Sequence, residues 1–228
     1  MQQGTGITRL AVFDYDGTSM DGQSGSLFTT YLLSHGMMSF PRALRLGWWG
    51  ARYKLHLPYR QDEARELVFG ALSEMDADTV ARVMEQFHED VLLRRTRAKA
   101  VSEIARCREE GCVTLLVSAT FEGIAKAAAK VLGVDAVLAT RMERAEDGSY
   151  TGRVEGSVLA GANKYLAVRE WADKKYGEGA WQLAYAYGDH HTDEDLLSHA
   201  QKAYAVCPGT TLRSIAKKRN WEILDWDD

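Results

Sequence analysis

Residues 10–18 read LAVFDYDGT, an apolar run that ends in two carboxylates, Asp14 and Asp16, separated by one residue. In open α/β sheets, ligands bind at the carboxyl ends of strands. A carboxylate pair there can divide the work, because one oxygen attacks phosphorus while the neighbouring acid handles the leaving-group proton. The alternative interpretation is a strand that ends in an ordinary polar turn, where Asp and Gly are common.

Four further apolar runs follow, at 114–117, 136–139, 183–187 and 203–206, and segments with helical periodicity lie between most of them. This alternation predicts an α/β fold, with a mainly parallel sheet covered by helices on both faces. Asp147-Gly148 lies between two strand-like segments and predicts a hairpin.

Residues 21–94 interrupt this alternation with helical spacing, as in Val80, Val83, Met84 and Phe87. They predict a helical insertion after the first strand, placed so that it can form a lid. We therefore expect a catalytic core of residues 1–20 and 95–228 and a helical cap of residues 21–94, which suits a chain of 228 residues.

Composition favours a soluble, folded protein that binds small molecules. The chain is 46% hydrophobic and 26% charged, and its net charge of -4 gives no global reason to expect binding to nucleic acid or to an acidic membrane. No apolar run reaches the roughly 18 residues of a membrane span, and the N-terminal stretch lacks signal-peptide features, so the expected location is cytoplasmic.

Cys107, Cys112 and Cys207 match neither a disulfide framework nor a CxxC site, and we expect reduced, buried thiols. Oligomeric state is not visible in the sequence.

Ser118 directly follows the second apolar run. We expect its hydroxyl and the amides of Ala119 and Thr120 at a strand end, with a helix beginning just after, where free N–H groups and the helix dipole favour phosphate oxygens. The alternative role of Ser118 is a simple helix N-cap.

Lys164 lies near a predicted helix start, with Asn163 as its expected N-cap. A lysine there opposes the helix dipole, so a bound phosphate would compensate for it. An ordinary surface lysine is the alternative.

Asp189 follows the fourth apolar run and is expected to share a hard cation with Asp14, since magnesium prefers oxygen ligands. His190 and His191 cannot easily face one ion because they are adjacent, which disfavours zinc. Thr192 and the acids after it have the pattern of a helix start.

The sequence thus contains four motifs in this order: the DxDGT stretch at 14–18, Ser118, Lys164, and the GDxxxD stretch at 188–193. Together they resemble the haloacid dehalogenase superfamily of phosphatases, and specifically its phosphoserine phosphatase-like branch. The resemblance spans nearly the whole chain and implies a Rossmann-like three-layer core with an inserted helical cap of the C1 type. It also implies a magnesium-dependent phosphomonoester hydrolase that acts through a phospho-aspartate. A dehalogenase would lack the second aspartate, so Asp16 favours phosphate chemistry.

The resemblance also implies a role for each site residue. Asp14 would be the nucleophile, and Asp16 the acid that protonates the departing alcohol and then the base that activates water. Ser118 and Lys164 would hold the phosphoryl oxygens, beside the amides of Ala119 and Thr120. Mg²⁺ would be bound by Asp14, the backbone carbonyl of Asp16, and Asp189, with Asp193 behind these ligands.

Two positions depart from the branch and leave the substrate open. Gln23 stands where phosphoserine phosphatases usually carry an acid that meets the substrate ammonium, and His190 and His191 stand where small residues are commoner. Phosphoserine, histidinol phosphate and a lysophospholipid-type phosphate are all compatible.

Two alternative functions remain beside hydrolysis. A signalling receiver domain also uses a phospho-accepting aspartate, but there the acidic pair does not open the fold ahead of a large cap. A phosphotransferase or mutase of the same fold would pass the phosphate to a second substrate instead of water.

The cap segment 40–60 is basic and aromatic and contains no acid. It fits either an acidic or lipid-like substrate or contact with a membrane surface, and the preferred interpretation is a helix that packs its aromatics on the core and leaves its arginines solvated. Its members are Arg42, Arg45, Arg52, Lys54, Arg60, Trp48, Trp49, Tyr53 and Tyr59.

Overall fold

The structure, a computed structural model, describes residues 6–55, 57–58 and 61–227. Tyr59 and Arg60 of the basic cap segment lie outside the described residues, as do the side chains of Tyr53 and Lys54. The strands are β1 (Thr8–Asp14), β2 (Val113–Phe121), β3 (Ala136–Arg144), β4 (Tyr150–Glu155), β5 (Trp181–Gly188), β6 (Lys202–Val206) and β7 (Glu222–Leu224). The helices are α1 (Ser24–Ser34), α2 (Phe40–Lys54), α3 (Gln61–Leu72), α4 (Ala77–Phe87), α5 (Ala98–Glu109), α6 (Glu122–Leu132), α7 (Ala162–Tyr176), α8 (Glu194–Ser198) and α9 (Thr210–Arg219).

One sheet of seven strands has the order β4-β3-β2-β1-β5-β6-β7. Every neighbouring pair is parallel except β3 and β4, which form the predicted hairpin around Asp147-Gly148. All five apolar runs lie in strands, and the α/β fold class is confirmed. The short edge strand β7 was not predicted, because three residues carry too little periodicity to stand out from a turn.

Residues on β1 alternate between two hydrophobic clusters, one on each face of the sheet. Leu10 and Val12 pack on one face with residues of α7, α8 and α9, whereas Ala11 and Phe13 pack on the other with residues of α5 and α6. Successive side chains of a strand point to opposite faces, so a strand apolar at every position must be covered on both sides. The core therefore has three layers, as the resemblance implied.

The insertion between β1 and β2 consists of α1 to α4, followed by a π-helical turn at His88–Leu92 and a 3-10 turn at Leu93–Arg95. The chain leaves and re-enters the core at adjacent points, since the Asp21 amide donates to the Arg95 carbonyl at 2.9 Å and the Arg97 amide donates to the Ser19 carbonyl at 3.0 Å. The division into a core and a cap of residues 21–94 stays a prediction.

The β3–β4 hairpin packs closely against α3 of the insertion. A Cβ added to Gly152, which has a φ of +81°, would lie 3.2 Å from the Cα of Gly70 on α3. Two glycines let the two backbones approach, and the hairpin thereby supports the helix that covers the carboxyl edge of the sheet.

Several sequence-based expectations about burial are wrong. Trp48 does not pack on the core, since it is 61% exposed and shares the outer face of α2 with exposed Phe40 and Leu44. Arg42 and Arg52 bind Glu74 and Glu63, at 3.0 and 2.6 Å, because α3 and the turn after it bring acids beside α2.

The expectation of three buried thiols holds for two of the three cysteines. Cys107 and Cys112 are free and buried, but Cys207 is only half-buried, because it lies just beyond the end of β6 near the edge of the sheet. None of the described helices is long and apolar enough to cross a bilayer.

Candidate active site

β1 carries Asp14 to the carboxyl edge of the sheet, between β2 and β5. Asp14 is 4% exposed, and the chain turns sharply after it, with the Ser19 hydroxyl donating to the Asp14 carbonyl at 2.6 Å. Gly17 makes this turn with a φ of +78°, and a Cβ at this position would lie 2.2 Å from Oδ2 of Asp189. The DxDGT turn and the end of β5 are therefore in direct contact, and only glycine fits between them.

Lys164 lies between two buried carboxylates. Its Nζ is 2.7 Å from Oδ1 of Asp14 and 2.6 Å from Oδ1 of Asp193, and all three side chains are nearly inaccessible. Burial lowers the pKa of the Lys164 ammonium, but the charges of Asp14 and Asp193 outweigh this and raise the pKa above its ordinary value. Lys164 is therefore a fixed cation beside the predicted nucleophile, not a surface lysine.

The expected N-cap of this helix is wrong. α7 begins at Ala162 with Gly161 as its N-cap, and the side-chain amide of Asn163 donates to the Val158 carbonyl at 3.0 Å instead. Gly161 adopts a φ of +59°, which lets the chain enter the helix two residues earlier than the sequence pattern indicates. Lys164 is the third residue of the helix.

Asp14, Asp189 and Asp193 present carboxylate oxygens that all lie within 4.8 Å of one another. The Thr18 hydroxyl donates to Oδ1 of Asp189 at 3.3 Å. Burial, with the charge of Asp193, raises the pKa of Asp189 to about 6. Burial likewise raises the pKa of Asp14, although Lys164 opposes this shift. Three carboxylates face one ammonium in this cluster, so a bound divalent cation would balance the remaining charge, and hard oxygen donors suit Mg²⁺.

Asp16 lies apart from this cluster and is held by Ser24. The Ser24 amide and hydroxyl donate to the two Asp16 carboxylate oxygens at 2.8 and 3.0 Å. Burial raises the pKa of Asp16, and the hydrogen bonds from Ser24 partly offset this effect. A carboxyl group with a raised pKa is suited to carry a proton near neutral pH. Sequence reasoning missed Ser24, although a serine that opens a helix just after the motif is a recognisable signal.

Ser118 lies one residue beyond Val117, which pairs with Asp14 across the β1–β2 ladder. The expected helix start just after Ser118 is wrong, because β2 continues to Phe121 through a register shift against β3 and α6 begins at Glu122. Ser118 is therefore not an N-cap. Its hydroxyl accepts from the Thr120 amide at 3.1 Å, so that amide is already bonded and not open as expected.

A cavity of about 470 Å³ adjoins Asp16 beneath the helical insertion. Its lining includes three residues predicted from sequence, Gln23, Ala119 and Thr120. It also includes Arg65 of α3, whose Nε donates to the Ala119 carbonyl at 3.1 Å. Arg65 was missed because nothing in the sequence shows which arginine of the helical insertion turns toward the sheet.

The histidine pair lies at the turn after β5. The His190 amide donates to Oδ2 of Asp193 at 3.2 Å, and its ring nitrogen Nδ1 lies 3.0 Å from the Thr192 hydroxyl. The 3-10 turn at His191–Asp193 leads directly into α8, in line with the helix start expected from Thr192 and the acids after it. The backbone of His190 thereby helps to orient Asp193.

Comparisons with known proteins found a matching family model, curated relatives and solved structures of similar fold. The model of the haloacid dehalogenase-like hydrolase family matches residues 11–198. Phosphoserine phosphatase SerB1 of Mycobacterium tuberculosis (strain ATCC 25618 / H37Rv) is 28% identical over 227 residues, with coverage of 96% of this chain and 71% of that protein. Histidinol-phosphatase of Neisseria meningitidis serogroup C (strain 8013) is 22% identical over 226 residues, with coverage of 96% and 100%. A solved structure of a protein with unknown function from Bordetella pertussis Tohama I has a TM-score of 0.88 at 28% identity, with coverage of 97% of this chain and 100% of that one.

Proposed function

Since this chain belongs to the haloacid dehalogenase-like hydrolase family, we propose that it is a magnesium-dependent phosphomonoester hydrolase in which Asp14 attacks the phosphorus atom. The observation that carries this proposal is the contact of Asp14 with buried Lys164, beside the carboxylates of Asp189 and Asp193. A carboxylate nucleophile needs a nearby cation to hold the phosphoryl oxygens, because phosphoryl transfer depends on positioning and on neutralising their charge.

Asp16 acts as the acid and then as the base. It lines the cavity in which the alcohol part of the ester lies, and its raised pKa keeps a proton available for the departing oxygen. The Ser24 hydrogen bonds fix the orientation of its carboxyl group. After the alcohol leaves, the same group accepts a proton from the water that attacks the phospho-aspartate.

Lys164 and Ser118 hold the phosphoryl oxygens, with Ala119 and Thr120 beside them. Lys164 is oriented by Asp193, which is fully buried. Because Asp193 receives both the Lys164 ammonium and the His190 amide, it positions the ammonium without contacting the substrate. Asp193 thus acts as a positioning residue.

Mg²⁺ fits the donor set of this site, with Asp14, Asp189 and the backbone carbonyl of Asp16 as its ligands. When bound, it would supply positive charge that stabilises the ionised carboxylates and the transferring phosphoryl group. Asp189 is held for this role by the Thr18 hydroxyl and by its contact with Gly17.

The proposal is tested by measuring phosphate release from a panel of monoesters, with Asp14→Asn as the decisive variant. We expect a loss of several orders of magnitude, because the nucleophile is removed while the shape of the side chain is kept. Asp147→Asn is the matched control, since Asp147 lies in the exposed hairpin turn. Removal of divalent metal with a chelator should abolish the activity, and Mg²⁺ should restore it.

Unchanged phosphate release by Asp14→Asn would remove Asp14 from the mechanism, and full turnover in chelator would defeat the metal assignment. A phosphotransferase would instead consume the ester only when an acceptor alcohol is present, and the phosphoryl group would appear in a new ester and not as free phosphate. Comparing ester consumed with phosphate released therefore separates the two reactions.

A further inference from the structure

The cavity beside Asp16 is mostly apolar where it extends under the cap. Its wall includes Leu46, Trp49, Val68 and Phe121, of which Val68 and Phe121 are buried. A volume of about 470 Å³ lies within the range of pockets that enclose most of a small molecule. Because Asp16 is the proposed acid for the departing alcohol, this cavity is where the alcohol part of the substrate lies.

Apart from Asp16, the part of the cavity wall that the structure describes offers no counter-charge for a substrate ammonium. Among the described residues of its wall, the ionisable ones are Asp16 and Arg65. The Asp16 carboxylate already accepts two hydrogen bonds from Ser24, and Gln23 is neutral. Moving an ammonium from water into such a place without a partner is costly, so an amino-alcohol phosphate is a poor match.

Two glycines on α2 keep this cavity wide. Gly47 and Gly50 both lie in its wall, and a Cβ added to either would meet no atom within 4 Å. Neither has a positive φ, so neither close packing nor backbone conformation requires glycine there. Glycine in a helix interior is destabilising relative to alanine. What the missing side chains provide is room next to the apolar wall.

We propose that the substrate is the phosphate monoester of an apolar alcohol, whose hydrocarbon part lies in this cavity against α2. This inference rests on the proposed function and specifies its substrate class. The hydrocarbon part gains by leaving water for the apolar wall, while the phosphate is held by Lys164 and Ser118.

The experiment measures kcat/KM for phosphate release from unbranched alkyl phosphates, from ethyl to octyl, with phosphoserine as the charged comparison. We expect kcat/KM to rise about fourfold for each added methylene until the cavity is full, which corresponds to about 0.8 kcal/mol per methylene. Octyl phosphate should be preferred over phosphoserine by more than a hundredfold.

Gly50→Leu is the variant that tests where the hydrocarbon part of the substrate lies. A leucine there fills the space of about three methylenes, so the ratio of kcat/KM for octyl to ethyl phosphate should fall about fiftyfold. Arg45→Leu is the matched control, because it adds a leucine to the exposed face of the same helix, and it should keep the wild-type ratio. Gly47→Leu provides a second filling variant, and melting curves verify that each variant is folded.

The possible outcomes separate the two proposals. Equal kcat/KM values across the alkyl series, or a preference for phosphoserine, would overturn the substrate assignment and leave the phosphatase proposal standing. If Gly47→Leu and Gly50→Leu are folded and both keep the wild-type ratio of kcat/KM for octyl to ethyl phosphate, the hydrocarbon part of the substrate lies outside this cavity and the inference is overturned. Absence of phosphate release from every ester would overturn the proposed function together with the inference.

Discussion

Replacing Gly17 by alanine separates the strain of the DxDGT turn from its contact with Asp189. Gly17 has a φ of +78°, a conformation in which a Cβ costs about 1–2 kcal/mol. The new Cβ would also lie 2.2 Å from Oδ2 of Asp189, whereas real Cβ atoms do not approach closer than 3.0 Å. The Asp189 carboxylate must therefore move outward by close to an ångström.

This displacement predicts a large loss of catalytic rate together with only a small loss of thermal stability. A shift of about 1 Å in a group that positions the reaction can lower the rate about 100-fold. The backbone strain by itself lowers the melting temperature by only about 2–4 °C per kcal/mol in a chain of this size. We expect Gly17→Ala to be folded at 25 °C, with kcat lowered about 100-fold. Because Asp189 is displaced, a higher Mg²⁺ concentration should be needed for half-maximal activity.

Gly111→Ala is the matched control. Gly111 has a φ of +80°, nearly equal to that of Gly17, but a Cβ there would meet no atom within 4 Å. Both variants should lose a similar amount of stability from strain, and Gly111→Ala should keep its activity. The assays are thermal unfolding with and without Mg²⁺ and phosphate release as a function of Mg²⁺ concentration. If kcat of Gly17→Ala stays within about threefold of Gly111→Ala, the claim that Gly17 positions Asp189 is refuted.

Three further predictions address the site and the cap. Asp193→Asn should lower the free energy of unfolding by about 1.5–3 kcal/mol in urea titrations, because buried Lys164 loses a charged hydrogen bond; an unchanged midpoint would contradict this. Gln23→Glu should raise kcat/KM for phosphoserine relative to octyl phosphate roughly tenfold, equivalent to about 1.4 kcal/mol, and an unaltered ratio would argue against contact between Gln23 and the alcohol part. Burial lowers the pKa of His88, whose ring nitrogens have no hydrogen-bond partner among the described residues. The neutral imidazole therefore contributes stability at pH values above the ordinary histidine pKa, and this contribution is lost as the pH falls through the lowered pKa of the folded protein. The stability of His88→Phe relative to the natural protein should therefore increase from pH 7 to pH 5 in urea titrations, and a constant difference would count against this assignment.

Much of the fold follows from local sequence pattern. The five apolar runs mark their strands because a strand covered on both faces must be apolar at successive positions. α4 buries Val80, Val83, Met84 and Phe87, the spacing that predicted it, because residues three and four apart share one helix face. Asp14 and Asp189 could be located from the sequence because each lies at the end of such a strand, and neighbouring parallel strands end at one edge of the sheet.

What the sequence by itself determined is therefore the set of strands, the helical insertion and the two carboxylates at strand ends. Only the tertiary structure decided that Lys164 is buried between Asp14 and Asp193, and that Arg65 rather than another arginine of the insertion reaches the Ala119 carbonyl. Hydrophobic periodicity, turn-forming residues and helix-capping residues act over a few positions and can be recognised in the sequence. Pairing of charges across 29 to 150 residues depends on how helices pack on the sheet, which no local pattern encodes.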